Sequence, residues 1–100
     1  MKKYEVMFIV RPDLEEANIN SVAESMKKVL TDNGATIVEE KPMGQRELAY
    51  EINKYKTGYY FLYVVEAADA KATEEFTRIA RINEDVIRSL VVKVEAEEKR

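Results

Sequence analysis

The sequence contains no cysteine and no histidine, and only three glycines. Disulfide bonds, thiolate nucleophiles, histidine catalysis and zinc sites built from Cys or His ligands are therefore excluded. Gly34, Gly44 and Gly58 stand alone in turn-like contexts, so the chain has no glycine-rich phosphate loop. Serine and threonine hydroxyls have no histidine to activate them. These absences remove most of the common classes of active site.

An excess of positive charge is also missing. The chain has 16 basic and 19 acidic residues, a net charge of −3 and a pI near 5.1. Domains that bind nucleic acid through their overall electrostatic field are usually clearly basic. Any contact of this chain with nucleic acid must therefore come from local clusters of cations. Adjacent carboxylates such as Glu39 and Glu40 point to opposite faces of a strand, which predicts solvated charges and no acid–base pair.

The length of 100 residues is enough for one domain with a single core. The first ten residues are briefly apolar, but they include Glu5 and lead into Arg11-Pro12-Asp13 where a signal peptide would have a small-residue cleavage site. This pattern predicts a β-strand of a cytosolic protein. No segment of the sequence is apolar for long enough to span a bilayer.

Hydrophobic periodicity predicts four strands and two helices. Pro42 and Gly44 fall inside the second strand, which predicts an edge strand with a bulge at 41–44. Asp13 and Asp69 are placed to cap the two helices. The predicted segments are strands 3–10, 35–52, 59–65 and 86–94, helices 13–32 and 69–81, and a turn at 53–58.

The order β-α-β-β-α-β is the split βαβ arrangement, an α+β fold. Right-handed crossovers place strands one and three side by side in the centre and both helices on one face. The expected architecture is a ferredoxin-like, four-stranded antiparallel sheet that is open on its second face. We expect a single domain over residues 1–95 and a charged, frayed tail at 96–100.

The open face of this sheet is the candidate functional surface. Tyr4, Val6, Phe8 and Val10 form the cleaner apolar side of strand one, which we expect to meet the helices. The opposite side is then too apolar to be left in water without a reason. Which side chains of strand four face the helices stays undecided. Either a partner binds this face, or its own tyrosines and Lys and Arg stems cover it. The predicted outward residues are Met7, Ile9, Tyr60, Leu62 and Val64.

Two other families share this order of elements. Acylphosphatases hold phosphate in a glycine-containing loop with an arginine after strand one, but here Arg11 is followed by Pro12-Asp13, which puts an acid in the place of the anion. RNA-recognition modules stack bases on strand-three aromatics, and residues 58–62 resemble the start of that motif. Thr57 replaces its basic residue, however, and an ordinary core strand favours the same aromatic and β-branched residues.

Six segments in register cover nearly the whole chain: MKKYEVM at 1–7, RPDL at 11–14, NGA at 33–35, GQRELAYEI at 44–52, KTGYY at 56–60 and VVK at 91–93. Together they resemble the bacterial small-subunit ribosomal protein six family. The resemblance implies a structural protein without enzyme activity or cofactor. It implies a heterodimer with small-subunit ribosomal protein eighteen that binds the central domain of the small-subunit ribosomal RNA during assembly, in the cytoplasm. The partner would supply much of the positive surface.

Basic residues at matching positions of the family are expected to contact RNA phosphates without reading bases. Glu47 departs from the family pattern, because many relatives carry a second basic residue there. A solvated surface charge is the alternative for each position. The alternative function is a non-ribosomal regulatory or ligand-binding module of the same fold that self-associates through the open face. The predicted RNA-binding residues are Lys2, Lys3, Arg46, Lys54, Lys56, Arg88 and Lys93.

Overall fold

The computed structural model describes residues 2–52 and 54–94 and has the predicted order of elements. The strands pair in the order β2-β3-β1-β4, and each pairing is antiparallel. This confirms the ferredoxin-like α+β fold and the central position of strands one and three. The elements are β1 (Lys2–Val10), α1 (Glu16–Asp32), β2 (Thr36–Ile52), β3 (Tyr55–Ala67), α2 (Lys71–Ile82) and β4 (Val86–Val94).

The expected single domain over 1–95 stays a prediction, and the expected tail at 96–100 lies outside the described residues. Within the part of the chain that the structure describes, neither helix has the length and apolar character needed to cross a membrane.

The core lies between the helices and one face of the sheet. Phe8 of β1 is its centre: the ring is fully buried, stacks on Phe61 of β3 at 5.2 Å between centroids and meets Phe76 of α2 at 5.9 Å. Aromatic pairs of this kind add about 0.5–1.5 kcal/mol beyond the area they bury. The inward direction predicted for strand one is confirmed. Other buried residues of this core are Tyr4, Val6, Val10, Ile19, Val22, Met26, Leu30, Tyr63, Val65, Ala72 and Ala80.

The helix starts differ from the prediction. α1 begins at Glu16, three residues after the predicted cap, and no side chain caps it. Asp13 lies instead 3.7 Å from Arg11, whose guanidinium attracts the carboxylate away from the helix. α2 begins at Lys71, and the Asp69 carboxylate accepts a hydrogen bond from the Lys71 backbone N–H at 3.0 Å. Asp69 therefore stabilises the first turn of α2 from just outside the helix.

β2 is an edge strand, as predicted, and its pairing with β3 shifts between Pro42 and Gly44. Gly44 has a φ of +77°, a conformation that favours glycine, so the bulge predicted at 41–44 is confirmed.

The predicted turn at 53–58 is too long. β3 already begins at Tyr55, and Lys54 beside the turn has a φ of +71°. β1 pairs with β3 only from Tyr59 onward, so the preceding residues of β3 pair with β2 alone. The two strands thus continue beyond the main sheet as a two-stranded hairpin, here called the hairpin arm (residues 46–52 and 54–58).

Candidate protein and RNA interface

Strand register arranges the open face in rows that cross the sheet. Cα partners in neighbouring strands share a face, so the pairing of β4 with β1 settles the direction of strand four. Leu90 and Val92 point to the open face, whereas Val91 packs against the core. Three rows, read from β3 through β1 to β4, are Tyr60-Ile9-Arg88, Leu62-Met7-Leu90 and Val64-Glu5-Val92.

The predicted partner-binding residues divide by exposure. Ile9 and Val64 lie on the open face but are only 3% and 8% exposed, because neighbouring side chains already cover them. Met7, Tyr60 and Leu62 are half-buried. Ile9 and Val64 therefore support the surface from beneath, whereas Met7, Tyr60 and Leu62 reach it.

Two further apolar residues of the open face were not predicted. Leu90 is 51% and Val92 44% exposed, the largest exposure of any aliphatic side chains in these rows. Sequence periodicity missed them because strand four is apolar on both of its sides, so alternation gives no direction. We call Met7, Leu62, Leu90 and Val92 the open-face patch.

Cationic side chains border this patch. Arg88 lies in the row of Ile9, Arg46 is opposite Gly58, and Lys3 lies opposite Glu66 at the other end of the face. Lys56, two residues before Gly58 on β3, falls on the same side of that strand.

The remaining predicted RNA-binding residues lie elsewhere. Lys2 is opposite Ala67 and Lys93 opposite Tyr4, so both are on the helix side of the sheet. Lys54 stands at the tip of the hairpin arm. The structure thus gathers four of the seven predicted residues around the open face and leaves three outside it.

Ion pairing divides the cations of the described residues into two groups. Arg11, Lys27, Lys41 and Arg78 each pair with a carboxylate. Within residues 2–52 and 54–94, none of the seven predicted RNA-binding residues has such a pair, and neither do Lys28, Lys71 and Arg81. Arg46 Nε donates to the backbone carbonyl of Met43, at 3.2 Å. The charges of the predicted residues are therefore open to an external anion.

Arg11, by contrast, is neutralised within the chain. Its Nε donates to Asp85 Oδ1 at 2.9 Å, and its backbone N–H donates to the Asp85 carbonyl at 2.9 Å. Hydrogen bonding to Tyr55, then to Asp85, and the charge of Asp13 raise the pKa of Arg11 above its ordinary value. An arginine held by carboxylates in this way does not favour the phosphate site that an acylphosphatase would need.

Two strand-three aromatics, Tyr59 and Phe61, pack on the helix side of the sheet. Phe61 stacks on Phe8, and Tyr59 packs against the core from the helix side. Neither ring faces the open side, where an RNA-recognition module would stack bases.

These features define a class: a small ferredoxin-like protein whose open sheet face combines exposed aliphatic side chains with cations that pair with no carboxylate of the described residues. A family model described as ribosomal protein S6 matches residues 3–93. The chain belongs to this family of structural proteins of the small ribosomal subunit. Its structure is similar to the crystal structure of 30S ribosomal protein S6 from Thermotoga maritima at 1.70 Å resolution, with a TM-score of 0.87 and 28% identity over 93% of this chain and 87% of that one.

Proposed function

We propose that the protein binds small-subunit ribosomal RNA as half of a heterodimer with ribosomal protein eighteen during assembly of the subunit, in the cytoplasm. Its RNA target is the central domain, and its role is structural, without catalysis. One observation carries the proposal: the open face exposes Leu90 and Val92 beside cations that have no carboxylate partner among the described residues.

The open-face patch suits a protein partner. The centre of a protein interface is typically apolar and poor in charge, and its rim is polar. Leu62, Met7 and Leu90 form one continuous apolar row, and the charges of Lys3 and Arg88 lie toward opposite ends of the face. When a partner covers that row, the burial of aliphatic surface stabilises the complex by about 25 cal/mol for each Å² removed from water.

The bordering cations suit RNA phosphates. Lysine and arginine contacts to phosphate position a protein without reading sequence. With a net charge of −3, the isolated chain has no general attraction for RNA, so these few cations act together with the positive charge of the partner. RNA binding is therefore weak for the chain alone and strong and salt-dependent for the heterodimer.

A matched pair of substitutions tests the partner surface. Leu90 on the open face and Ile82 at the end of α2 are exposed aliphatic residues, at 51% and 66%. Leu90→Glu is expected to weaken binding to ribosomal protein eighteen at least tenfold, because a carboxylate would be buried without a partner. Ile82→Glu, on the helix side, is expected to leave it unchanged. Titration calorimetry measures both affinities, and thermal unfolding checks that each variant folds.

The contrary outcomes are equally definite. If both variants bind ribosomal protein eighteen as the unmodified chain does, the open face is not the partner surface. If the protein instead forms a homodimer that Leu90→Glu dissociates, and binds neither ribosomal protein eighteen nor ribosomal RNA, it is a self-associating module.

A further inference from the structure

One contact on the open face joins the hairpin arm to the opposite edge of the sheet. The Arg88 guanidinium carbon lies over the Tyr50 ring, 5.6 Å from its centroid. Tyr50 belongs to β2 and Arg88 to β4, which are the two edge strands of the sheet. The arm therefore curls across the open face, and the Tyr50 ring of β2 reaches a cation on β4, although β3 and β1 lie between these two strands.

Apart from this contact, the hairpin arm is tied to the rest of the domain by the hydrogen bond between Tyr55 and Arg11 and by the packing of Ile9 against Gly58. A two-stranded ribbon is only marginally stable alone in water. The β2–β3 pairing is also irregular here, because its register shifts between Glu47 and Ile52. A contact from Tyr50 to β4 thus limits both the position of the arm and the rotamers of Arg88.

The contact leaves the hydrogen-bonding capacity of Arg88 free. An aromatic face attracts the charge of a guanidinium but accepts no conventional hydrogen bond from its five N–H donors. Among the described residues, no carboxylate pairs with Arg88. A stacked arginine has lost side-chain freedom before it binds, yet it keeps the planar fork that recognises phosphate oxygens.

Tyr50 itself is 61% exposed, the second largest exposure among the large hydrophobic side chains of the described residues. A ring placed there contributes little to the core. Its one described interaction with another ring or cation is the contact with Arg88. The Tyr50 ring is thus placed to act on Arg88 and not to fill the core.

We propose that Tyr50 is a positioning residue: it holds Arg88 on the open face for contact with an RNA phosphate and so couples RNA binding to the docking of the hairpin arm. This inference rests on the proposed function, since it assigns Arg88 to the RNA. The energetic reason is preorganisation, because an ordered side chain loses less entropy on binding.

The test uses the heterodimer with ribosomal protein eighteen and a transcript of the central domain of small-subunit ribosomal RNA. Tyr50→Leu removes the π face and keeps an apolar side chain; it is expected to weaken RNA binding two- to fivefold, equivalent to about 0.5–1 kcal/mol. Tyr50→Phe keeps the ring and is expected to bind normally. In the Arg88→Gln background, Tyr50→Leu is expected to have no further effect. Arg81→Gln, an exposed arginine on the helix side, is the control for loss of charge.

Two further readouts separate positioning from a general structural role. Tyr50→Leu leaves the charge of Arg88 in place, so the slope of log affinity against log salt is expected to stay the same while the affinity falls. In the free protein, the Arg88 Nε resonance is expected to shift in Tyr50→Leu but not in Tyr50→Phe. Amide exchange in the hairpin arm is expected to accelerate in both Tyr50→Leu and Arg88→Gln.

Each result has a definite meaning. If Tyr50→Leu binds RNA normally while Arg88→Gln weakens binding, the inference is wrong and the proposed function stands. If Tyr50→Leu weakens binding equally with and without Arg88, Tyr50 acts directly on the RNA and the positioning role is also wrong. If the unmodified heterodimer does not bind the transcript, the proposed function itself fails.

Discussion

The Cγ2 methyl of Ile9 lies so close to Gly58 that a β-carbon added at Gly58 would clash with it. The position of such a β-carbon is also 3.3 Å from the Val10 carbonyl oxygen and 3.7 Å from the Ile87 Cδ1 atom. The Ile9 side chain of β1 packs over Gly58 of β3, and the two strands can pair this closely only because position 58 has no side chain. Close approach, and not a left-handed backbone, therefore requires glycine here.

Gly58→Ala is expected to lower the free energy of unfolding by about 1–3 kcal/mol, because the added methyl must displace Ile9. In the Ile9→Ala background the same change is expected to cost less, since the obstructing methyl is absent. A double-mutant cycle from urea denaturation measures this coupling. An equal cost in both backgrounds would show that the two side chains do not compete for the same space.

Phe8 contacts aromatic rings from both β3 and α2, so its truncation affects the sheet and the helix layer together. Phe8→Ala is expected to cost about 3–5 kcal/mol, a large part of the total stability of a small domain. Leu90→Ala, on the exposed face, is expected to change stability by less than about 0.5 kcal/mol. Denaturant unfolding of both variants measures the contrast. A small loss for Phe8→Ala would mean that the ring cluster is not the centre of the core.

Tyr63 gives the stability a pH dependence in the alkaline range. Burial, with added repulsion from Glu40 and then Glu24, raises the pKa of Tyr63 to about 12. The unfolded chain loses this proton near pH ~10, so between about pH 10 and 12 the folded state binds more protons and the free energy of unfolding falls as the pH rises. The full effect is up to about 2–3 kcal/mol.

The comparison variant for this effect is Tyr63→Phe. It also lacks the hydrogen bond from the Tyr63 hydroxyl to the Ala23 carbonyl, which is long at 3.4 Å. Urea unfolding at about pH 9 and about pH 11.5 is expected to show a steeper loss for the unmodified chain than for Tyr63→Phe. Equal losses would show that Tyr63 titrates normally in the folded protein.

Local patterns were sufficient to predict the order of the elements, because both helices carry an apolar stripe and the strands are runs of β-branched, aromatic and aliphatic residues bounded by turn residues. Tyr4 and Val6 alternate with the polar residues Lys3 and Glu5 at the start of strand one, and Pro42 with Gly44 marks the edge-strand bulge. Handedness of the crossovers then leaves a single arrangement of the sheet. The fold therefore followed from features that the sequence contains.

Features set by contacts between distant residues were not predictable in this way. The start of α1 differs because Asp13 is drawn to Arg11, an ion pair that competes with capping. The open-face direction of Leu90 comes from the register with β1, since strand four is apolar on both sides. The contact of Tyr50 with Arg88 depends on the curl of the hairpin arm, which no local pattern indicates.

Unequal pairing of the open-face cations predicts unequal contributions to RNA binding. Arg46 and Lys41 both belong to β2 and lie on the open face, opposite Gly58 and Leu62. Lys41 is 3.8 Å from Glu39, whereas no carboxylate of the described residues pairs with Arg46. In the heterodimer, Arg46→Gln is expected to reduce the slope of log affinity against log salt by roughly 0.7–0.9, the value for one lost phosphate contact.

Lys41→Gln is expected to change that slope much less, because Glu39 already offsets the charge of Lys41. A lysine that is neutralised in this way displaces few counterions from the RNA when the protein binds. Filter binding over a salt series measures both variants against the unmodified chain. Equal slopes for Arg46→Gln and the unmodified protein would place the RNA away from the hairpin arm. A larger effect for Lys41→Gln than for Arg46→Gln would mean that the Lys41–Glu39 pair opens on binding, since only a released lysine can contact a phosphate.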